Sequence, residues 1–213
     1  MSSLPHLAAH HGDFVAFRDV MIDTAPGRFG PIWWGVWEQL VRPPAGATLV
    51  DLGCGPGMLL PLLRTRHPDA RIVGVDAQPA MLAHARTLAS TCGAEIVEAD
   101  LAGPLPLADG VADVVTAVHV LHELLYPVPL VDEMWRILRP GGVLLVYDWV
   151  KFPLEAYLEG EEPTEAKIAH FREHCLYQVE DLQFLLRRRG FGIRESLTRR
   201  DGHYGIVVAE RPA

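Results

Sequence analysis

The sequence predicts an α/β protein: a mostly parallel β-sheet with helices on both faces, finished by an antiparallel hairpin. Three observations lead there. Between residues 48 and 149, short apolar runs alternate with segments of helical periodicity. Strands that alternate with helices build βαβ units, a parallel sheet and right-handed crossovers. The strand-like runs are apolar at almost every position, as over residues 143–149, which is the pattern of a sheet covered on both faces. At the end of the chain, runs over 191–197 and 204–209 flank Asp201-Gly202, a dipeptide that favours a tight turn between antiparallel neighbours.

The elements follow in order. The first forty or so residues read as helical and contain His10, His11 and the close-set Trp33, Trp34 and Trp37. Arg42-Pro43-Pro44-Ala45-Gly46 ends that stretch, because two prolines cannot continue a helix. Residues 48–52 form a first strand and 57–66 a helix; residues 71–76 form a second strand. Pro79 suits the first turn of the next helix, with Met81, Ala85 and Leu88 at helical spacing. Residues 95–98 and 113–118 are the third and fourth strands. A helix with Leu130, Met134, Ile137 and Leu138 on one face runs to Arg139-Pro140-Gly141-Gly142, ahead of the fifth strand. Val179, Leu182 and Leu186 mark the last large helix.

Bulk properties narrow the function. With 213 residues, 49% hydrophobic and 22% charged, the chain fits one soluble globular domain. A formal net charge of -8 repels phosphate backbones, which argues against a nucleic-acid partner. The one dense basic run, Arg187-Arg188-Arg189, precedes Gly190 and reads as a helix's last turn facing its own dipole. Three scattered cysteines, Cys54, Cys92 and Cys175, do not form a disulfide framework and fit a reducing cytoplasm. No signal peptide and no apolar run of membrane-spanning length is visible. A soluble, cytoplasmic protein is expected, with no membrane partner and no sequence signal for its oligomeric state.

The segment Val50-Asp51-Leu52-Gly53-Cys54-Gly55-Pro56-Gly57 joins the first strand to a helix. Glycines there let the backbone turn tightly and let a ligand approach the main chain, and a helix N-terminus adds amide donors. A dinucleotide fingerprint would put its third glycine where Met58 stands. Asp51, two residues ahead of the first glycine, would repel a pyrophosphate but attract an ammonium. Both features count against a nicotinamide oxidoreductase.

This segment resembles motif I of the class I S-adenosylmethionine-dependent methyltransferases, usually (V/L)-(L/D)-(D/E)-x-G-x-G-x-G. The likeness covers roughly residues 45–150 and implies a Rossmann-like seven-stranded sheet with the C-terminal hairpin. It implies S-adenosylmethionine as cofactor, with Asp51, Gly53, Cys54, Gly55 and Gly57 in the cofactor loop. Asp76 matches the acid that holds both ribose hydroxyls, and Ala77 and Met81 match positions along the adenine. Glu98-Ala99-Asp100-Leu101 resembles the motif whose acid and following amide read the adenine edge, which nominates Asp100 and Leu101. Arg139-Pro140-Gly141-Gly142 resembles the family's turn before the fifth strand. Within one domain, 1–213, residues 1–45 are then a helical cap segment, 46–150 the cofactor-binding core, 151–177 a substrate-side insertion and 178–213 the last helix and hairpin.

The expected reaction is methyl transfer to O, N, S or C of a small organic acceptor. A non-catalytic protein that binds S-adenosylmethionine or S-adenosylhomocysteine is the alternative. Because the cofactor brings an activated methyl group, the protein must align a nucleophile and accept its proton. Histidine suits the second task, and the fourth strand ends in Val118-His119-Val120-Leu121-His122-Glu123. His119, near the cofactor's methionine end in this resemblance, and His122 are the candidate contact and base, although His122 also resembles a common structural histidine; Asp148, after an apolar run, is a candidate substrate contact or, equally, a cap for the loop that follows. His170 and His174 share a helix face at i and i+4, but no further ligand set accompanies them, so no metal is expected. His10 and His11 are adjacent and point in different directions on a helix; they read as surface residues, with closure of either over the cofactor as the alternative. Acceptor choice falls to residues 6–40 and 151–177, whose aromatics include Phe14, Phe17, Phe29, Phe152, Tyr157, Phe171 and Tyr177. Arg18 and Arg28 are possible ligands for a carboxylate.

Overall fold

The computed structural model describes residues 11–174, 176–199 and 202–213. His10, Cys175 and Asp201 lie outside the described residues. Helices α1 (Phe14–Arg28) and α2 (Pro31–Val36) are followed by a π-helical turn, Trp37–Val41. The chain continues through β1 (Thr48–Leu52), α3 (Leu59–Arg66), β2 (Arg71–Asp76), α4 (Pro79–Cys92), β3 (Glu95–Glu98) and β4 (Ala112–Val118). Next come a 3-10 turn (Leu121–Glu123), α5 (Val128–Ile137), β5 (Leu138–Trp149), α6 (Leu154–Leu158), α7 (Glu165–His174), α8 (Val179–Arg189), β6 (Gly192–Arg199) and β7 (Tyr204–Glu210). The seven strands lie in the order β3-β2-β1-β4-β5-β7-β6. The first five pair in parallel, while β7 runs antiparallel to both β5 and β6.

Alternation along each strand feeds two cores, one on either face. Val50, Val73, Val115, Leu144 and Val207 meet α5 and α8 through Leu130, Met134, Leu182 and Leu186. The intervening residues Leu49, Ile72, Val114, Leu145 and Val208 meet α3 and the tryptophans Trp33, Trp34 and Trp37. Leu138 does not continue the helix as expected. α5 ends at Ile137, and Leu138 opens β5 in extended conformation while staying fully buried. Pro140 supplies the reason, since its ring clashes with a preceding helical turn. Arg187, Arg188 and Arg189 do occupy the last turn of α8, before Gly190 in left-handed geometry.

α1 differs from α3, α4, α5 and α8, each of which buries an apolar face. Asp13 caps it by accepting from the amides of Val15 and Ala16 at 2.9 and 3.1 Å. Yet Ala25 alone among its fifteen residues is buried. Its apolar face therefore does not enter either core and is directed elsewhere.

Gly57 shows how tightly the first crossover is held. It has φ +82°, and a Cβ there would lie 3.0 Å from the Cα of Ala85 on α4. Gly57→Ala should cost about 1–3 kcal/mol in chemical denaturation through backbone strain and this clash. An unchanged denaturation midpoint would show that the loop relaxes freely.

Candidate functional site

A cavity of about 970 Å3, its open mouth included, lies at the carboxyl ends of β1, β2 and β4, where open α/β sheets bind ligands. Its floor is the glycine loop. The amides of Gly53 and Cys54 both donate to the Val75 carbonyl, at 2.8 and 3.0 Å, which moors the loop to β2. Gly53 has φ +71°, and a Cβ there would come within 2.4 Å of Val120. Gly55, also left-handed at φ +53°, has nothing within 4 Å of where a Cβ would stand. A side chain at Gly55 would project into open space at the cavity lining.

Two acids on neighbouring strand ends face this loop. Asp76 Oδ2 accepts from the Gly55 amide at 2.8 Å, and its Oδ1 accepts from Ala77 and Gln78 at 2.8 and 2.9 Å. Burial pushes its pKa up from the ordinary 3.8, against the opposing pull of these three amides. Asp51, buried on β1, accepts the Thr116 hydroxyl at 2.6 Å. Burial raises its pKa to about 7, the Thr116 bond lowers it and the Asp76 charge raises it. A carboxylate so poised gains from a bound cation. The adjoining Cys54 thiol is held neutral, its pKa pushed up chiefly by burial.

Of the residues expected at the cofactor, Asp51, Gly53, Cys54, Gly55, Asp76, Ala77, Met81, Leu101 and His119 line the cavity. Gly57 and Asp100 do not. Gly57 packs on α4, and Asp100 Oδ1 accepts from the Ala102 amide at 3.0 Å, shaping the turn after β3.

The residues after β4 separate by environment. His119 has φ +57°, rare for a residue with a side chain, and its amide donates to the Tyr147 carbonyl at 2.7 Å. Its ring stacks on Tyr204 and stands edge-on to Tyr147, with centroids 5.2 and 5.0 Å apart. His122 turns away from the cavity and is buried against Asp148, with Nδ1 toward Oδ1 and Nε2 3.2 Å from Glu123 Oε1. Burial alone would lower its pKa, but Asp148 and Glu123 outweigh that and raise it to about 10. An imidazole that keeps its proton through neutral pH is unsuited to the general-base role expected for it. Asp148, fully buried, is likewise not a lining residue; its Oδ2 accepts from the Leu121 amide at 2.6 Å and braces the 3-10 turn.

Glu123, His11 and Met21 are among the lining residues that the sequence reading did not assign to the site. Glu123 reaches the cavity and meets Nε2 of His11 at 3.0 Å from both of its carboxylate oxygens. His11, read as a surface residue with closure over the cofactor as the alternative, stacks on Phe17 at 3.9 Å and lines the cavity, as the alternative has it. Met21 joins them. His10-His11 adjacency carried no periodic signal, and Glu123 reads as an ordinary polar residue until the 3-10 turn aims it.

The apolar face of α1 closes the remaining wall. Phe14, Phe17, Met21 and Arg28 are spaced as one helical stripe and all line the cavity, with Phe29 beyond them. Arg18 instead pairs with Asp19 at 2.7 Å. The second region expected to choose an acceptor behaves differently. Phe152, Tyr157 and Phe171 pack on Trp149, His170 and His203, outside the lining. The His170 Nδ1 contacts the Tyr157 hydroxyl at 2.7 Å.

Residues 50–146 match the family described as Methyltransferase domain. The chain is 44% identical over 111 residues to a trans-aconitate 2-methyltransferase of Azoarcus sp. (strain BH72), a match covering 51% of this chain and 42% of that protein. It is 38% identical over 111 residues to a demethylmenaquinone methyltransferase of Thermus thermophilus, covering 51% and 50%. The chain thus spans about half the length of the curated relatives it matches. In fold it superposes on a SAM-dependent methyltransferase from Aquifex aeolicus with a TM-score of 0.73, at 19% identity over 92% of this chain and 98% of that one. Fold, glycine loop and paired strand-end acids agree with these matches: residues 50–146 are similar to a methyltransferase domain, and the fold is that of the S-adenosylmethionine-dependent methyltransferase it superposes on.

Proposed function

We propose that the protein transfers a methyl group from S-adenosylmethionine to O, N, S or C of a small organic acceptor, in the cytoplasm, releasing S-adenosylhomocysteine. The observation that carries this reading is Asp51. A buried carboxylate bonded to one hydroxyl, poised near neutrality, faces an open glycine floor with Asp76 on the next strand. The residues fit the cofactor. Asp51 would take the ammonium end, Asp76 the ribose, and Ala77, Met81 and Leu101 the adenine. Gly55 leaves room for the ligand against the main chain. When bound, the cofactor supplies an electrophilic methyl group.

The chain's remaining work is orientation and exclusion of water. His119 stands at the turn between cofactor floor and aromatic wall, held by strained backbone and by Tyr147 and Tyr204; we assign it contact with the reacting groups. His122 and Asp148 are positioning residues, a charged buried brace for the 119–124 segment. Curated relatives bear names pointing to a carboxylate substrate in one case and a quinone-type ring in another. A small acceptor suits the enclosed apolar wall in either case.

Calorimetric titration with S-adenosylhomocysteine, with NADH as comparison, tests the reading. Micromolar or tighter binding of the first and none of the second is expected. Absence of S-adenosylhomocysteine binding would overturn it.

A further inference from the structure

We infer that Arg28 is the anion-recognition residue for the methyl acceptor, which therefore carries a carboxylate on an apolar body. The inference rests on the proposed methyl transfer and names the substrate class of that same cavity. An arginine ending a helix ordinarily lies in water, its charge offsetting the helix dipole. Arg28 does fold back on α1, donating to the Thr24 hydroxyl at 2.6 Å and to the Met21 carbonyl. These are neutral acceptors and use two of the five donors a guanidinium presents. It also lies 5.9 Å from the Phe29 ring centroid. Among the described residues no carboxylate pairs with it.

That lack of a counter-ion matters because Arg28 is partly buried in the cavity wall, and burial lowers its pKa. A guanidinium partly removed from water gains from an anion brought beside it. The acids lining the cavity are otherwise engaged: Asp51 with Thr116, Asp76 with three amides, Glu123 with His11 and His122. The missing charge is left for a ligand to bring, and a carboxylate suits a planar fork of donors.

The sheet places that ligand. Asp76 ends β2, whereas the groups whose charge Arg28 feels are Tyr147 on β5 and Tyr204 on β7. β2 and β7 are four positions apart in the strand order, or about 19 Å at ~4.8 Å per strand. His119, just past the end of β4 and between them, contacts both tyrosines. Arg28 thus stands past the transfer point from the ribose acid, beside Phe14, Phe17 and Phe29, which would hold the acceptor's apolar body. The cofactor's own carboxylate has the same chemistry, so the test must separate the two sources.

Parent, Arg28→Gln and Arg28→Lys are titrated with S-adenosylhomocysteine. The saturated proteins are then titrated with benzoate and phenylacetate and with the matching neutral amides. Thermal denaturation confirms that each variant is folded. The saturated parent should bind at least one acid tenfold more tightly than its amide. Arg28→Gln should abolish that preference, Arg28→Lys should keep part of it, and S-adenosylhomocysteine should bind all three within twofold. Acids and amides behaving alike, or no acid binding to the saturated parent, would overturn the inference while leaving the cofactor site intact. A tenfold loss of S-adenosylhomocysteine affinity in both variants would assign Arg28 to the cofactor's carboxylate and overturn it too. If the parent fails to bind S-adenosylhomocysteine, the methyl-transfer reading falls first.

Discussion

Asp76→Ala should raise the dissociation constant for S-adenosylhomocysteine about a hundredfold. Hydrogen bonds to a charged group contribute ~1.5–3 kcal/mol each, and loss of two ribose contacts, partly compensated by water, leaves roughly 3 kcal/mol. The carboxylate has a second task. It accepts from the amides of Gly55, Ala77 and Gln78, so alanine also leaves loop donors unpaired. Asp76→Asn separates the two. Its amide oxygen can still accept from the loop, but it lacks the charge, so affinity should fall about tenfold with little change in melting temperature. If both variants bind S-adenosylhomocysteine like the parent, Asp76 only shapes the loop. If affinity falls only where melting temperature falls, the same conclusion holds.

Much of this site was legible because it rests on strand ends. Once residues 48–52 and 71–76 are read as parallel neighbours, Asp51 and Asp76 must emerge at the same edge of the sheet, and the register places Asp51 opposite Gly74. The antiparallel closure was readable too, since Asp201-Gly202 stands between two apolar runs in the sequence, and β6 and β7 pair antiparallel. What escaped was set by local geometry without a periodic signature. His122 and His119 look equivalent in sequence, three residues apart. The left-handed backbone at His119 and the 3-10 turn after it send one ring to the cavity and the other into a carboxylate pair.

The two candidate acceptor segments were indistinguishable for a similar reason. Both are aromatic, and composition does not say whether a ring faces a space or another ring. α1 presents its stripe to the cavity because almost none of it enters a core. The aromatics after β5 instead satisfy one another, as in the stack of Phe152 on His203 at 3.9 Å. Among the described residues, no helix is long and apolar enough to cross a bilayer.

Stability should fall as pH rises from about 6.5 to 10, and His122 should be the cause. Its pKa is 6.5 in an ordinary setting and about 10 in the fold. A histidine raised on folding contributes stability that is complete below pH 6.5 and lost as pH climbs through 10. Asp51 acts in a different window. Its folded pKa of about 7 lies above the ordinary 3.8, so ionising it costs stability as pH rises from 3.8 to 7. Urea denaturation at half-unit pH steps resolves the two. His122→Gln should flatten the profile above pH 7, whereas Asp51→Asn should flatten it below. Asp148→Asn tests the pair more severely. It removes the carboxylate that holds a buried imidazolium and braces the Leu121 amide, with Glu123 left as partial compensation. Breaking a buried pair in this way costs about 3–5 kcal/mol, which in a domain of this size lowers the melting temperature by roughly 10 °C. Parent and His122→Gln profiles of equal slope above pH 7 would mean that His122 is neutral in the fold, and the base role would return to it.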